Sequence, residues 1–252
     1  MRGLILAAGR GSRCMPHTDG IPKLFVEVGG KTIWEWQADA IEPHVEELYV
    51  VLGYGFEKDG ELDREKLEEH VDDTSRAEWL LLPNWDEVDN GETVRWSVEQ
   101  IHDNIESSAW VPPTKDDVLI MCGDTVISES LVETAVRDFN EYVEPDPPFD
   151  GSPYRQNRKS LAVLQEGLQD EETAGRVNDG HLEDYGTMEG HRGTGLWILN
   201  DEQWGSVRLM LEENTQYWFS VALAAVDCRA ILVDEPIYEI NYAEQVEVEE
   251  PL

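Results

Sequence analysis

The sequence predicts an α/β fold of the Rossmann-like type, in which three layers are formed by a mostly parallel sheet flanked by helices. Two observations predict it. Short apolar segments, typical of buried strands, alternate along residues 1–142 with amphipathic segments of helical spacing. Loop-forming residues separate the two kinds of segment. The alternation weakens after residue 160, where we expect a small antiparallel extension of the sheet.

The elements of the first half have clear local signals. The opening segment RGLILA is a nearly continuous apolar run, as a buried strand requires, and ELYVVL at 47–52 is similar. Residues 130–142 have helical spacing, and Ser128 or Ser130 is the expected N-cap. The predicted strands are 2–7, 47–52, 79–82 and 118–121, and the predicted helices are 31–41, 63–71, 93–105 and 130–142.

Residues 143–159 interrupt this pattern. Four prolines and several acidic residues in this segment predict an exposed acidic, proline-rich loop. Beyond it, the Asn178-Asp179-Gly180 sequence favours a hairpin turn. The remaining predictions are strands at 160–165 and 196–199, helices at 202–212 and 217–226, and a last strand pair at 231–233 and 237–240. We therefore predict a single domain over 1–252, with a first half at 1–128 and a second half, ending in an acidic tail, at 160–252.

The chain is strongly acidic. It contains 54 Asp and Glu residues against 19 Lys and Arg residues, which gives a formal net charge of −35. Because the acidic residues are spread along the chain, we expect a carboxylate-rich surface adapted to high salt. An acidic face for a basic partner is the alternative, but it would require clustering. A general basic surface for nucleic acid is excluded.

Other features of composition concern location. No apolar run is long enough to span a membrane, and the N-terminus has no secretory pattern. Cys14, Cys122 and Cys228 are far apart and form no CxxC pair, which favours a reducing compartment and no structural zinc. We expect a cytoplasmic protein with no membrane span, and the sequence leaves a homo-oligomer open.

The most informative segment is the loop that follows the first predicted strand. It reads LILAAGRGSR at 4–13 and continues with PHT at 16–18 and IPK at 21–23. Glycines let the backbone approach a ligand, and Arg10, Arg13 and Lys23 give the loop a local excess of positive charge. A polyphosphate ligand explains both. A dinucleotide GxGxxG motif is disfavoured because Cys14 replaces its last glycine, and the Lys-Ser/Thr pair of a Walker A loop is missing.

This loop resembles the signature loop of the nucleotidyltransferases that make nucleotide-activated sugars and alcohols. Its Pro-x-Thr element favours that branch over the molybdenum-cofactor guanylyltransferase type. The resemblance implies that an acceptor phosphate attacks a nucleoside triphosphate and that pyrophosphate leaves. It also implies that Arg13 and Lys23 are catalytic, since they would bind the triphosphate and stabilise the charge on the leaving group. The implied nucleotide-binding backbone is that of Leu6, Ala7, Ala8, Gly9 and Gly11.

A second resemblance concerns a metal ion. The segment VLIMCGD at 118–124 ends in a Gly-Asp pair that the family also has, which implies that Gly123 contacts the nucleotide and Asp124 binds Mg²⁺. The family's second metal carboxylate lies in a phrase like EIDTxED near the C-terminus. Here that phrase is EINYAEQ, so Asn241 replaces the expected Asp and brings no charge. Glu239 is the other candidate ligand.

The substrates are less well specified. The segment NWDEVDNGET at 84–93 resembles part of the cytidylyltransferases for choline phosphate and related alcohols, which makes Asn90 and Thr93 candidates for reading a pyrimidine and favours CTP. A turn followed by a helix cap at Thr93 is the structural alternative. On the acceptor side, Gly195 resembles the family's glycine beside the acceptor. The candidate cations for an acceptor phosphate are Lys159, Arg176 and Arg192.

Aromatic residues of the second half have two interpretations. Trp197, Tyr217 and Trp218 are candidates for a wall against a sugar or a quaternary amine, but core packing is the interpretation that we favour.

The preferred function is therefore transfer of a nucleoside monophosphate, from CTP, to a phosphorylated sugar, polyol or amino alcohol. One alternative is a sugar-1-phosphate nucleotidyltransferase that uses UTP, dTTP or GTP. Another is a nucleotide-binding regulatory homologue without turnover, with which Asn241 is consistent. An NAD-binding protein is disfavoured by Cys14 and by the lack of a dehydrogenase motif.

Overall fold

The computed structural model describes residues 1–72, 75–101, 116–142, 158–169, 174–187, 190–213 and 218–252. Within these ranges the helices are α1 Ile33–Ile41, α2 Arg64–Leu67, α3 Asn90–Ile101, α4 Glu129–Glu141, α5 Trp204–Glu213 and α6 Phe219–Ala224. The strands of the first half are β1 Arg2–Ala7, β2 Glu27–Val28, β3 Lys31–Thr32, β4 Glu47–Leu52, β5 Glu57–Lys58, β6 Glu61–Leu62, β7 Glu78–Leu81, β8 Val118–Cys122 and β9 Thr125–Val126. The strands of the second half are β10 Leu161–Gln169, β11 Ala174–Asn178, β12 His181–Thr187, β13 Gly190–Leu199, β14 Arg229–Val233 and β15 Tyr238–Glu239. No helix in these ranges has the length and apolar character needed to span a bilayer.

A nine-stranded sheet forms the centre of the molecule, in the order β10-β14-β12-β11-β13-β8-β1-β4-β7. The strands β8, β1, β4 and β7 are parallel neighbours, as the alternation of strands and helices predicts. Strand β13 joins this parallel part in antiparallel orientation beside β8. The α/β class is therefore confirmed, although the antiparallel part is larger than the small extension that the sequence suggests.

The strands of the second half form a closed circuit of pairings. Strand β10 pairs with β13 and also, in parallel, with β14, which is bridged to β12. The β11–β12 hairpin then returns to β13 and completes the circuit. The hairpin turn lies at Asp179-Gly180, where the sequence predicts it. The buried side chains of Leu164, Leu182 and Tyr185 pack around Gly175 within this circuit.

Helices cover both faces of the sheet. Helices α1 and α4 pack on one face, and α3, α5 and α6 pack on the other. Successive residues of a strand point to opposite faces, so Leu4 and Ile5 of β1 belong to two different buried apolar clusters. This arrangement confirms the three layers that the sequence predicts.

Caps explain where two of the helices begin. Helix α1 starts at Ile33 because Thr32 is its N-cap: Thr32 Oγ1 accepts from Glu35 N at 3.1 Å, and the Glu35 carboxylate accepts from Thr32 N at 2.7 Å. The preceding Lys31, which we expected in the helix, belongs to β3. Ser128 caps α4, as one of the two predicted caps, with its Oγ accepting from Leu131 N at 3.2 Å.

Other predictions of secondary structure also differ from the structure, and the helix predicted at 63–71 is limited to Arg64–Leu67. Helix α3 begins at Asn90, so Thr93 lies inside the first turn and is not the cap. Strands β14 and β15 do not pair with each other, because β14 joins β10 and β12 while β15 pairs with β9.

Two predictions concern residues outside the described ranges. The expected acidic, proline-rich loop at 143–159 lies outside them except for its last two positions, and Tyr217 also lies outside them.

Candidate active site

The carboxyl ends of β1 and β8 meet at one edge of the sheet, where they place two loops side by side. Gly123 N, just after β8, donates to Leu6 O of β1 at 2.9 Å. A Cβ atom at Gly123 would lie 2.8 Å from the Ala7 Cβ, so the close approach of these two chain segments requires a glycine. The loop that carries Asp124 is thereby fixed against the glycine loop that follows β1.

The glycine loop folds back on itself. Gly11 has a φ of 61°, in the left-handed region that glycine adopts most easily. Its carbonyl oxygen accepts a 2.9 Å hydrogen bond from Thr18 Oγ1, and a Cβ at Gly11 would lie 2.8 Å from the Lys23 Cγ. The loop therefore curves back on itself, so that Lys23 at its end lies beside Gly11 at its start.

The two loop glycines predict opposite results on substitution. In Gly11→Ala the new methyl group meets Lys23 and the positive φ is strained, so we expect a loss of about 1–2 kcal/mol of unfolding free energy. In Gly9→Ala the methyl group meets no described atom within 4 Å, so stability is retained. Chemical denaturation of both variants tests this, and equal destabilisation by the two substitutions would contradict it.

A cavity of about 310 Å³ lies between the two loops. Its lining comprises Leu6, Ala7, Gly9, Gly11, Ser12, Arg13, Lys23, Asn90, Cys122, Gly123 and Asp124. Of the nucleotide-binding residues named from the sequence, Ala8 does not line it, because Ala8 is buried and its carbonyl accepts from Tyr54 N at 2.9 Å. Thr93 does not line it either, because its buried Oγ1 donates to Asp89 O within the first helical turn at 3.0 Å.

Two cations and one carboxylate give the cavity its charge. Lys23 Nζ lies 3.0 Å from Asp124 Oδ2, and the Lys23 side chain is only 12% exposed. Arg13 Nη2 donates to Asn241 Oδ1 at 3.4 Å, and the Arg13 guanidinium lies 5.4 Å from the centre of the Tyr242 ring. In a chain with a net charge of −35, this site concentrates positive charge where an anionic ligand would meet it.

A second cavity, of about 210 Å³, opens beside the first. Its lining comprises Arg13, Asn90, Cys122, Asp124, Thr125, Tyr185, Gly193, Thr194, Gly195, Trp197, Trp218, Glu239 and Asn241. The cavities share four residues, which are Arg13, Asn90, Cys122 and Asp124. Two ligands in the two cavities would therefore meet beside Arg13 and Asp124.

The C-terminal phrase lies beside Asp124, which is the position that the family resemblance implies for it. Glu239 of β15 pairs with Thr125 of β9, and Ile240 N donates to Asp124 O at 2.8 Å. The Glu239 carboxylate is engaged by Arg192, with Oε2 and Nη2 2.8 Å apart. Within the described part of the chain, no group of three or more His, Cys, Asp or Glu residues has the geometry to hold a metal ion.

The candidate acceptor cations separate in the structure. Arg192 does not line the second cavity itself, but it forms an ion pair with Glu239, which does. Arg176 and Lys159 do not come to it. Arg176 is 59% exposed on the hairpin and pairs with Glu183 and Asp184.

Lys159 precedes β10 and contacts Asp227. Because β10 and β8 are both antiparallel to β13, they run in the same direction, and the start of β10 lies at the edge opposite the cavities. Strand direction, which the sequence does not reveal, excludes Lys159 from this site.

Gly195 lines the second cavity, as its resemblance implies. Its φ is 72°, and a Cβ there would lie 3.0 Å from the Cys122 Cβ. Trp197 is buried and packs edge-to-face on Phe219, which confirms the preferred core interpretation, although one surface of Trp197 also lines the cavity. Trp218 also lines this cavity but is 46% exposed, so the core interpretation is wrong for Trp218.

Several residues of the site were missed from the sequence, among them Cys122, Thr125, Tyr185 and Gln37. Cys122 lines both cavities. Burial of its thiol, and to a lesser extent the negative charges of Asp124 and Glu239, raise the pKa of that thiol. At neutral pH this thiol is therefore protonated and a poor nucleophile. Tyr185 reaches the second cavity from the hairpin, and Gln37 contacts the Asp124 loop from α1. Cys122 and Thr125 carried a local signal, since they flank the Gly-Asp pair in the sequence.

Asn90 connects the two cavities. Its Oδ1 accepts from Phe219 N at 3.3 Å, at the start of α6 and next to Trp218, and its Nδ2 points to Cys122 Sγ at 3.9 Å. The acceptor atom of this amide is thus used to hold α6 in place.

Comparisons with known proteins concern the sequence and the fold of this chain. The family model described as MobA-like NTP transferase domain matches residues 3–146. Its description refers to the MobA type, whereas the Pro-x-Thr element of the loop favours the sugar and alcohol branch. The bifunctional protein GlmU of Methanococcus maripaludis is 27% identical over 185 residues, which is 71% of this chain but only 39% of GlmU. The UTP–glucose-1-phosphate uridylyltransferase AglF of Haloferax volcanii is 28% identical over 138 residues, or 55% of this chain and 49% of AglF.

Among solved structures, the CTP:phosphocholine cytidylyltransferase LicC of Streptococcus pneumoniae superposes with a TM-score of 0.64. The superposition covers 97% of this chain and 95% of LicC at 14% sequence identity, so it supports the fold alone.

Proposed function

The chain belongs to the MobA-like NTP transferase domain family, and from that premise we propose that it transfers a nucleoside monophosphate from CTP to a phosphorylated sugar, polyol or amino alcohol. One observation carries the proposal. Arg13 and Asp124 lie on the wall shared by two adjoining cavities, and Lys23 contacts Asp124 at 3.0 Å. A triphosphate in the first cavity and a phosphorylated acceptor in the second would meet at the charged groups that phosphoryl chemistry needs.

The proposed reaction is an in-line displacement. An oxygen of the acceptor phosphate bonds to the α-phosphorus of the triphosphate, and the bond from that phosphorus to the bridging oxygen of the β-phosphate breaks. The electron pair leaves with pyrophosphate. Arg13 and Lys23 neutralise the negative charge that grows on the leaving group, and the cavity walls hold the two reactants in line.

No covalent enzyme intermediate is needed in this scheme. The acceptor phosphate is already anionic, so the reaction requires no general base. Cys122 carries the thiol on the shared wall, and its raised pKa is consistent with a role in packing rather than in attack.

Mg²⁺ is the proposed cofactor, and Asp124 is its proposed ligand. The donor set fits, because Mg²⁺ commonly takes one or two protein carboxylates and completes its shell with substrate phosphates and water. Glu239 and Asn241 lie beside Asp124 and are the further candidates, with Glu239 held by Arg192. When bound, the ion would supply charge neutralisation to the phosphates.

Arg192 is the proposed contact for the acceptor phosphate, because of the three candidate cations it is the one that pairs with a residue of the second cavity's lining, Glu239. Asn90 remains a proposed base-reading residue, although its Oδ1 is already used by Phe219 N, which leaves mainly its Nδ2 group for a base. The lean toward CTP rests on the resemblance of the 84–93 segment. AglF, a uridylyltransferase by name, supports the alternative of a UTP-dependent sugar-1-phosphate enzyme.

Pyrophosphate release tests the proposal. The protein is incubated in molar KCl with Mg²⁺ and each of CTP, UTP, GTP, ATP and dTTP, paired with sugar, polyol, inositol and choline phosphates. Release with one pair establishes the activity and names both substrates. Nucleotide binding by calorimetry without release from any pair favours the regulatory homologue, with Asn241 as the first residue to change to Asp.

A high-salt cytoplasm is the proposed setting, and it carries a prediction. With 54 acidic residues, self-repulsion is unscreened at low ionic strength, so the melting temperature should fall as KCl is diluted from molar to about 10 mM, where the Debye length is about 30 Å. Scanning calorimetry over a KCl series measures this. An equimolar series in uncharged sucrose is the control, and a melting temperature that is independent of KCl would contradict the inference.

A further inference from the structure

Gln37 is a polar side chain that is fully buried in α1, and the other buried residues of that helix are apolar. A buried amide destabilises a protein unless it is hydrogen-bonded. The Gln37 Nε2 group donates two hydrogen bonds, each 2.7 Å long, to the carbonyl oxygens of Cys122 and Thr125. Both donors of this amide are therefore used, and both are used on one loop.

The two carbonyl groups flank the turn that carries Asp124. The backbone of this turn is held to β1 by the hydrogen bond from Gly123 N to Leu6 O. It is held to the C-terminal segment by the hydrogen bond from Ile240 N to Asp124 O. Gln37 supplies the third attachment, from the helix layer. The backbone is consequently fixed on both sides of Asp124, while the Asp124 side chain faces Lys23 and the cavities.

The orientation of the amide follows from its surroundings. If the group were reversed, Oε1 would face two carbonyl oxygens and both hydrogen bonds would be lost. In the observed orientation the buried Oε1 has no hydrogen-bond partner among the described residues. An apolar side chain of similar size would avoid that unpaired acceptor, so the amide is unfavourable here except for what its two donors hold.

We propose that Gln37 is a positioning residue for Asp124: it fixes the turn so that the carboxylate keeps its place beside Lys23 and toward the nucleotide phosphates and their metal ion. The expected effect on Mg²⁺-dependent activity rests on the proposed function. The expected effect on the turn at Asp124 rests on the hydrogen bonds alone. Residues that support a metal-binding group typically change metal affinity or activity about 10- to 100-fold when they are substituted.

The experiment compares Gln37→Met with Gln203→Met. Gln203 is a matched control, because its Nε2 also donates to a backbone carbonyl, Val226 O at 2.6 Å, and its Oε1 accepts from Ser160 N, at the opposite edge of the sheet. Pyrophosphate release is measured against Mg²⁺ concentration, and amide hydrogen exchange is measured at residues 123–126. If Gln37→Met does not fold, Gln37→Asn, whose amide is too short to reach both carbonyls, replaces it.

We expect both variants to melt at lower temperature than the parent protein. Gln37→Met should also need about tenfold more Mg²⁺ for half-maximal rate and should exchange the 123–126 amides faster, whereas Gln203→Met should change neither. The proposal is overturned if the two variants behave alike in Mg²⁺ dependence and exchange. If the parent protein releases no pyrophosphate, the proposed function has failed, and the exchange data alone then decide: faster exchange confined to Gln37→Met supports the positioning role, and equal exchange overturns it.

Discussion

Asp124→Asn should lower kcat/KM for pyrophosphate release by at least about 100-fold while leaving the fold intact. The substitution preserves the shape of the side chain but removes its charge. It therefore removes the negative charge of the proposed metal ligand, and the neighbouring carboxylate of Glu239 is already paired with Arg192. It also leaves Lys23 Nζ without the carboxylate that lies 3.0 Å away, so the geometry of that amine changes as well. Steady-state kinetics over a Mg²⁺ series provide the measurement.

Asp138→Asn is the matched control for this result. Asp138 also pairs with a cation, Arg229, at 2.8 Å, and its side chain is 34% exposed against 29% for Asp124. It lies on α4 and lines neither cavity. We expect its kinetics to stay within about twofold of the parent protein. Comparable activity in the two variants would remove Asp124 from the proposed mechanism.

The second large effect is expected for Arg13→Ala, which should lower kcat by about 100-fold or more. Arg13 lines both cavities, so in the proposed reaction its guanidinium would contact the triphosphate at the point where pyrophosphate departs. Because the side chain is exposed and only weakly held by Asn241 at 3.4 Å, its loss should not unfold the chain. Stopped-flow or single-turnover kinetics would separate the chemical step from nucleotide binding.

Arg10→Ala provides the comparison on the same loop. Arg10 is also exposed, but its guanidinium lies over the Tyr54 ring at 5.4 Å and it lines neither cavity. The two variants lose the same charge, so a difference between them reports position rather than net charge. If Arg10→Ala lost as much activity as Arg13→Ala, a general electrostatic effect of the loop would replace the specific role of Arg13.

The residues that were predicted well are those whose position depends on nearby sequence. The glycine loop follows β1 directly, Gly123 and Asp124 follow β8 directly, and parallel neighbours bring both ends together. Ser128 was recognisable as a cap because capping depends on the next three residues.

The residues that were predicted poorly depend on pairings between distant segments. Lys159 and Arg176 were reasonable cations for an acceptor, but strand direction places one at the far edge and the hairpin places the other beside Glu183 and Asp184. Tyr185 enters the second cavity through the same long-range pairing. Thr93 was misjudged because α3 starts at Asn90, three residues earlier than predicted, and the Thr93 hydroxyl donates to Asp89 O instead of facing the cavity.

The closed circuit of β10, β14, β12, β11 and β13 has a consequence for association between copies of the chain. A strand at the margin of a sheet exposes unpaired backbone groups that recruit other strands, and closure removes such margins. Among the described strands of the large sheet, β7 is left as the outermost, and it is only four residues long and begins with Glu78. Edge-to-edge pairing between sheets of two copies would therefore have to begin at this short, charged strand, which disfavours it. This holds even in concentrated salt, which would screen the repulsion between acidic surfaces.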